Sequence, residues 1–264
     1  MRSLIGALSA ALIAVGFSFT AETLAVESVD PALAAIIAGD HRSDANKARD
    51  RYRHPVETLT FFGLNSGMKV VEVWPAGGWY TEILGPFLRK DGKYYAAGWD
   101  PGAKAEFIRQ GVKAFSDRLA ARPDLYAGTE ITVLSFPDKT RIAPPGTADI
   151  VLTFRNIHNW MGSGNAEVAF AAMYKALKPG GVLGVVEHRA KGDAPQDPKA
   201  ASGYVREDYA IALAQNAGFV LEERSEVNAN PRDTKDYEKG VWTLPPTYRE
   251  GETDKSRYAT IGES

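Results

Sequence analysis

The chain contains no cysteine, which excludes disulfides, thiolate metal sites and cysteine nucleophiles. Histidine occurs only four times, and no pair has the i, i+4 spacing of a helical zinc site. Lysine and arginine never occur more than two in a row, and the formal net charge is -2, so nothing favours a nucleic-acid partner. The Gly-x-Ser-x-Gly elbow of serine hydrolases is also missing.

Long apolar runs are missing everywhere except at the N-terminus. Residues 4–19 carry no charge, follow Arg2, and precede the small residues Ala21, Thr23 and Ala25. This pattern predicts a secretory signal peptide over residues 1–25. An uncleaved anchor or a buried helix is the alternative, but the run is shorter than the roughly 20 residues that a spanning helix needs. We therefore expect a periplasmic or secreted protein without a membrane span in the mature chain.

The rest of the chain alternates between short apolar runs and longer amphipathic ones. The predicted strands cover 69–74, 93–98, 130–134, 149–154, 181–187 and 219–227. The predicted helices between and after them cover 78–90, 103–121, 165–177 and 204–217, preceded by N-terminal helices at 29–39, 43–53 and 56–62. Such alternation predicts an α/β fold with a doubly wound, mostly parallel sheet. We expect a helical segment over 26–66, a Rossmann-like domain over 67–228, and an irregular tail over 229–264 that wraps the domain.

The most informative motif is residues 72–79, Glu-Val-Trp-Pro-Ala-Gly-Gly-Trp, between an apolar strand and a helix. A strand, a tight glycine turn and a helix form the geometry that binds a nucleotide-like ligand, because amides at the helix start point outward. Gly77 and Gly78 can present such amides, and Glu72 at the strand end can accept from a hydroxyl or ammonium group. A plain tight turn and a capping carboxylate are the structural alternatives.

A second polar cluster, Arg155-Asn156-Ile157-His158-Asn159-Trp160, follows the predicted strand 149–154. Ligands of parallel sheets sit at this end of the strands. His158 is a candidate general base and Asn156 a candidate substrate contact, with Trp79 and Trp160 as pocket walls. The alternative is a loop in which these side chains satisfy buried backbone groups.

Four segments together resemble the class I S-adenosylmethionine-dependent methyltransferases, and more narrowly the exported, predicted methyltransferases of Proteobacteria. They are the loop 70–84, the strand end Ala-Gly-Trp-Asp-Pro at 97–101, the strand and loop 148–160, and the turn Ala-Leu-Lys-Pro-Gly-Gly-Val-Leu at 176–183. The resemblance spans residues 45–225. It implies a seven-stranded sheet with an antiparallel last strand, and S-adenosyl-L-methionine as the cofactor.

The resemblance also implies roles for individual residues. Asp100 would hold the two ribose hydroxyls, since a carboxylate accepts two bonds from a vicinal diol; Glu130 or Asp138 would lie near the adenine. The cofactor site would comprise Glu72, Trp74, Gly77, Gly78, Asp100 and Arg155. The catalytic candidates are His158 and Asn156, which would face a small-molecule or envelope substrate during direct methyl transfer.

The chain departs from the family pattern in its glycine loop. The family has glycine at three alternate positions, which here are Trp74, Ala76 and Gly78. Glycine allows close approach and unusual torsions, so a tryptophan there either lines the cofactor pocket or fills it. A second departure is that no segment after residue 227 has clean strand character, although 241–244 can supply a short substitute. Without one, the sixth strand would have an open edge.

Two functions of different classes therefore stay open. One is a methyltransferase; the other is a small-molecule-binding protein of the same fold that has lost the cofactor, which export and the altered loop favour. A dinucleotide-dependent oxidoreductase is weaker, because the Gly-x-Gly-x-x-Gly spacing is missing. Glu187-His188-Arg189, at the end of the predicted strand 181–187, is a second catalytic candidate, with a structural strand-end pair as the alternative. His158, His188 and Glu187 can meet at adjacent strand ends as metal ligands, but we expect no metal. We expect a monomer or a homodimer.

Overall fold

The computed structural model describes residues 29–192 and 195–264. The predicted signal peptide over 1–25 lies outside these ranges, so it stays a prediction. Among the helices that are described, none has the length and apolar character needed to cross a bilayer.

Helices and strands alternate through the middle of the chain. The strands are β1 (Lys69–Val73), β2 (Lys93–Gly98), β3 (Glu130–Val133), β4 (Ala148–Phe154) and β5 (Leu177–Val186). The helices are α1 (Pro31–Ala38), α2 (Asp44–Lys47), α3 (Asp50–Arg53), α4 (Pro55–Phe61), α5 (Thr81–Leu88), α6 (Glu106–Ala121), α7 (Pro123–Tyr126), α8 (Ile157–Gly162), α9 (Ala166–Ala176), α10 (Glu207–Asn216) and α11 (Lys255–Ile261), with a 3-10 helix at Gly240–Thr243. The predicted helix over 43–53 is in fact two short helices, α2 and α3.

The described strands form one sheet in the order β3-β2-β1-β4-β5. All four neighbouring pairs are parallel, and Val71 at the centre lies opposite Tyr95 on β2 and Val151 on β4. The predicted doubly wound α/β fold is confirmed. The turn expected at 178–181 lies inside β5, where the register with β4 shifts so that these residues bulge from the ladder.

Both faces of the sheet are buried, which explains the nearly continuous apolar runs in its strands. Val70 and Ile150 point to one face and pack with helices α1, α4, α5, α6 and α7. Val71 and Val151 point to the other face and pack with α8, α9 and α10. The alternation follows from the two-residue period of a strand. The helices after β1 and β2 therefore cover one face, and those after β4 cover the other.

This change of face places a crevice between the carboxyl ends of β1 and β4. In open α/β sheets, ligands bind where two adjacent strands send their connections to opposite faces. The residues that follow these two strands are Trp74 and Arg155, so the motifs singled out in the sequence lie at the expected position.

The predicted sixth strand over 219–227 is wrong, because this segment forms no strand in the described structure. In this segment Glu226 pairs with Arg189 and Arg224 pairs with Glu207 of α10. A groove of about 1430 Å³ separates the segment from β5. The substitute strand suggested at 241–244 falls mostly in the 3-10 helix Gly240–Thr243. In the described part of the chain, β5 is thus an edge strand.

Candidate functional site

The loop after β1 has a left-handed backbone at three alternate positions. Trp74, Ala76 and Gly78 have φ values of 51°, 47° and 74°. These are the three alternate positions at which the family carries glycine. For an L-residue the left-handed conformation costs about 1–2 kcal/mol, so the loop keeps a strained shape at Trp74 and Ala76. Strain of this kind concentrates at functional sites.

The Trp74 side chain crosses the carboxyl end of the sheet. Its Nε1 donates to the carbonyl of Leu134 after β3 (3.0 Å), while its backbone N–H donates to Ala97 on β2. The indole makes edge contacts with Trp99, Phe136 and Trp160 at centroid distances of 6.3, 6.0 and 5.8 Å. Because it spans from β1 to the end of β3, the indole lies over the end of β2.

Asp100 lies where the sequence placed it, two residues beyond β2. Its Oδ1 accepts from the backbone N–H of Gly102 (2.9 Å), and its Oδ2 pairs with Lys139 (2.7 Å). The hydrogen bond from Lys139, followed by that from Gly102, lowers the pKa of Asp100, so the carboxylate is ionised. Lys139 is largely exposed and can move aside, which leaves the carboxylate able to accept from a diol. Glu130 begins β3 and pairs with Lys93 at the start of β2, away from the carboxyl ends where Asp100 lies. Asp138 is exposed, and its contact with an adenine stays a prediction.

Glu72 does not face the crevice, contrary to the prediction. Its side chain points to the α5 face, where Oε2 accepts from the hydroxyls of Tyr94 and Thr81, and only 2% of the residue is exposed. Burial raises the pKa of Glu72 to about 7, although both hydroxyl bonds act in the opposite direction. The residue ties β1 to α5 and β2, and it does not reach a ligand.

The two glycines of the loop differ in what they can offer. Gly77 is exposed with open space around it, as a ligand-facing turn residue requires. Gly78 uses its N–H to close the turn onto Pro75 (2.7 Å), and a Cβ there would lie 2.5 Å from the Arg118 guanidinium. Its predicted amide contact with a cofactor is therefore not supported. Gly78 is instead needed for the positive φ and for the approach of Arg118.

A buried imidazole–carboxylate pair forms at the ends of β4 and β5. His158 on α8 places Nδ1 3.0 Å from Oε1 of Glu187, and both side chains are less than a tenth exposed. Glu187 also accepts from the backbone N–H groups of Ile157 (2.6 Å) and His188 (2.8 Å), so it caps the start of α8. An ionised carboxylate can only accept, so Nδ1 of His158 carries the proton. Nε2 is then the nitrogen that can take a proton from a substrate.

Asn156 links the carboxyl ends of β1 and β4 at the crevice. Its Nδ2 donates to the carbonyl of Val73 on β1 (3.0 Å) and to Oγ1 of Thr153 on β4 (3.2 Å). The amide nitrogen is therefore committed to holding the two strand ends together. A substrate contact by its oxygen stays a prediction.

Arg155 lies on the β5 side of the crevice, away from Asp100. Its Nε and Nη2 donate to the carbonyl of Ser264 at 3.2 and 2.9 Å, so its predicted place in the cofactor site is not supported. Trp79 is buried; its Nε1 donates to Asn46, and the guanidinium groups of Arg42 and Arg53 lie over its ring. The ring of Trp79 therefore packs against two arginines and does not line a cofactor pocket.

The structure thus divides the predicted residues between two neighbouring places. The loop 74–78 and Asp100 lie over β1 and β2, whereas His158 and Glu187 lie over β4 and β5. The sequence analysis missed the polar residues Arg49, Arg53, Tyr80, Tyr204, Asp233 and Glu263, which surround the second place. No local sequence pattern predicts that these residues lie together, because they belong to segments far apart in the chain. His158 and His188 have ring centroids 5.7 Å apart, yet in residues 29–192 and 195–264 no three acidic or histidine side chains are placed to hold a metal.

Comparison with solved structures finds chains similar to this one. One is a SAM-dependent methyltransferase from Aquifex aeolicus, at 19% identity over 67% of this chain and 85% of that chain, with a TM-score of 0.49. An arsenic(III) S-adenosylmethionine methyltransferase from Chlamydomonas reinhardtii is 16% identical over 72% and 62% of the two chains, with a TM-score of 0.45. Fibrillarin from Aeropyrum pernix, solved with bound S-adenosyl-L-methionine, is 13% identical over 66% and 69%, with a TM-score of 0.43.

No protein-family model matches the chain, and no curated protein matches it either. Sequence identities below 20% and TM-scores below 0.5 do not show that this chain shares the activity of these proteins. The fold is established by the strand order and the parallel register of the chain itself. The narrower resemblance to exported proteobacterial methyltransferases stays a prediction.

Proposed function

We propose that the protein is an S-adenosylmethionine-dependent methyltransferase acting on a small-molecule acceptor. The observation that carries the proposal is the left-handed backbone at positions 74, 76 and 78. A tryptophan and an alanine keep this conformation although glycine would adopt it at less cost. The loop thus has left-handed torsions at all three positions where the resembled pattern carries glycine, including the two that are not glycine here.

The residues present fit the cofactor in part. The exposed backbone at Ala76 and Gly77 and the carboxylate of Asp100 follow the carboxyl ends of the adjacent strands β1 and β2, so they would hold the methionine and ribose parts. The indole of Trp74 occupies the intervening space and would have to turn aside. When bound, S-adenosylmethionine supplies a methyl group on a sulfonium centre, which a nucleophile can attack directly.

The chain's own contribution to the reaction is alignment and proton removal. His158, fixed by Glu187, can take the proton from an N–H or O–H acceptor at Nε2. Glu187 orients the ring and stabilises the imidazolium that forms, as in other imidazole–carboxylate pairs. The ring of Trp242, whose centroid lies 5.8 Å from that of His158, reduces the pair's contact with water, which favours a step that consumes opposite charges.

Binding of S-adenosylhomocysteine tests whether the protein has the proposed cofactor site. With a dissociation constant of about 0.1 mM, the ligand at about 1 mM stabilises the fold by about 1.4 kcal/mol. That corresponds to a rise of roughly 3–5 °C in the unfolding midpoint. Asp100→Ala removes charge-assisted hydrogen bonds to the ribose, so we expect the affinity to fall by roughly 10–100-fold. Thermal unfolding and calorimetry on the wild type and the variant measure both effects.

Asp117→Ala is the matched control, because Asp117 is also an aspartate paired with a lysine, Lys113, but lies on the outer helix α6. This variant should bind S-adenosylhomocysteine as the wild type does. The absence of any midpoint shift in the wild type at millimolar ligand would contradict cofactor binding. An equal loss in both aspartate variants would remove Asp100 from the site.

The tautomer of His158 tests the proposed base. Nitrogen NMR at a pH where the ring is neutral should show the proton on Nδ1 in the wild type. In Glu187→Ala the proton should move largely to Nε2, and the fold should lose roughly 1–3 kcal/mol because the N–H of Ile157 is left buried without an acceptor. Glu207→Ala, which removes a carboxylate paired with Arg189, should leave the tautomer unchanged. A wild-type ring already protonated on Nε2 would refute the proposed role of Glu187.

A ligand-binding protein that has lost the cofactor is the second candidate, and the position of the Trp74 indole favours it. The two candidates share the His158–Glu187 pocket but differ in whether S-adenosylhomocysteine binds. For either one we propose a periplasmic or secreted location, for which the support is the N-terminal sequence alone. A monomer or a homodimer stays a prediction.

A further inference from the structure

Glu263 is a buried carboxylate held by two arginines from the N-terminal helices. Arg49 donates to it through Nε (2.5 Å) and Nη2 (3.2 Å), and Arg53 donates through Nε (2.8 Å). Only 5% of Glu263 is exposed. Burial alone would raise its pKa, but the hydrogen bond from Arg49 and the charges of Arg53 and Arg49 lower it. The two guanidinium groups form a fork that matches a planar carboxylate.

Ser264 extends this contact toward the end of the sheet. Arg155 donates twice to its carbonyl and leaves Nη1 buried, with no partner among the described residues. His188 also has a buried Nδ1 that finds no partner within that part of the chain. Burial, then the charge of Arg155, lowers the pKa of His188 well below its usual value, while the backbone of Ser264 acts in the opposite direction. We call Arg49, Arg53, Arg155 and His188 the arginine cradle.

The cradle adjoins the proposed reaction site. The His188 ring lies 5.7 Å from the His158 ring, and Arg155 is the first residue after β4. The groove beside β5 is lined by Glu187 and Ser264. Because Ser264 is bonded to Arg155, displacement of Ser264 would connect this groove with the cradle.

The tail that fills the cradle is closely fitted. Gly262 has φ of 91°, and a Cβ there would lie 2.3 Å from Cε1 of Tyr52. Asn230 donates to the carbonyls of Ile261 and Glu263 at 2.9 and 2.8 Å. Glu263 and Ser264 therefore enter the cradle in one defined geometry, with the carboxylate on Arg49 and Arg53 and the carbonyl on Arg155.

We propose that the arginine cradle is the acceptor subsite, that the acceptor carries a carboxylate, and that Glu263 and Ser264 occupy this subsite until the acceptor displaces them. The assignment of this subsite to the methyl acceptor rests on the methyltransferase activity proposed above. Glu263 shows the ligand geometry that the fork accepts. The unpartnered Nη1 of Arg155 and Nδ1 of His188 are the groups left to bind a larger ligand.

Malonate, as a small dicarboxylate probe, tests the proposal on the full chain by calorimetry at constant ionic strength. Glu263→Gln removes the internal competitor and should bind malonate at least about tenfold more tightly than the wild type. Gly262→Ala, which displaces the tail sterically and leaves all charges in place, should act in the same direction. Adding Arg53→Gln to Glu263→Gln should abolish the gain. The neutral isostere malonamide should not bind to any of these proteins.

Equal malonate affinity in the wild type, Glu263→Gln and Gly262→Ala would overturn the proposal, as would binding of malonamide. Inorganic phosphate binding as tightly as malonate would overturn the carboxylate assignment. The response to S-adenosylhomocysteine is measured on the same samples. If S-adenosylhomocysteine binds but the variants do not differ in malonate affinity as expected, only the acceptor subsite is refuted. If the malonate affinities differ as expected but S-adenosylhomocysteine does not bind, methyl transfer is refuted and the cradle is the ligand site of a binding protein.

Discussion

Replacing Trp74 by glycine should increase the affinity for S-adenosylhomocysteine by at least about tenfold, which is roughly 1.4 kcal/mol of binding free energy. The indole lies across the end of β2, bonded to Leu134 and packed on Trp99 and Phe136, so a bound nucleoside must first displace it. The substitution removes that cost and also relieves the positive φ at position 74. Calorimetric titration of the wild type and the variant measures the change.

The same substitution should lower the free energy of unfolding by roughly 1–3 kcal/mol, because the relief of strain only partly offsets the lost packing of the indole. Trp74→Phe is the control: it keeps an aromatic ring in the crevice and should bind S-adenosylhomocysteine no better than the wild type. Weaker binding by Trp74→Gly would show that the indole borders the pocket as a contact. In that case the ligand-binding alternative loses its main support.

Glu72 should make the free energy of unfolding fall as the pH rises from about 4.5 to about 7, in opposition to His188, whose lowered pKa makes stability rise with pH up to its ordinary value of 6.5. The folded protein keeps this carboxyl protonated up to about pH 7 because it is buried, whereas the unfolded chain releases the proton near its model value of 4.5. Between these values the unfolded state binds fewer protons, so stability decreases with pH. The total is roughly 3 kcal/mol, at about 1.4 kcal/mol per pH unit.

Urea unfolding of the wild type and Glu72→Gln between pH 4.5 and 8 measures the effect. The amide cannot ionise, so the stability of Glu72→Gln should lack this decrease, and the difference between the two curves isolates Glu72 from the histidines. Glu106→Gln, an exposed glutamate of α6, should follow the wild type. Parallel curves for the wild type and Glu72→Gln would show that Glu72 is ionised in the folded protein and that its burial is tolerated in the charged form.

The sequence by itself determined the architecture. The runs around Val71 and Val151 place apolar side chains on both sides of their strands because both sheet faces are buried. Helix-length segments separate these runs, which leaves a parallel doubly wound sheet as the consistent arrangement. It also located the crevice, since the motifs at 72–79 and 155–160 follow the two strands whose connections go to opposite faces. Asp100 at the end of β2 was placed correctly for the same local reason.

The tertiary structure decided which partners the side chains of those motifs bond to. Glu72 turns to the helix face because of the two-residue alternation along β1, and Trp74 bonds to Leu134, which is 60 residues away. Glu263 meets Arg49 across 214 residues, and no periodic pattern within a segment encodes such a contact. The segment 219–227 has the composition of a strand, but its charged side chains find partners at the rim. Local periods fix elements and their faces, whereas pairing between distant polar groups depends on the three-dimensional path of the chain.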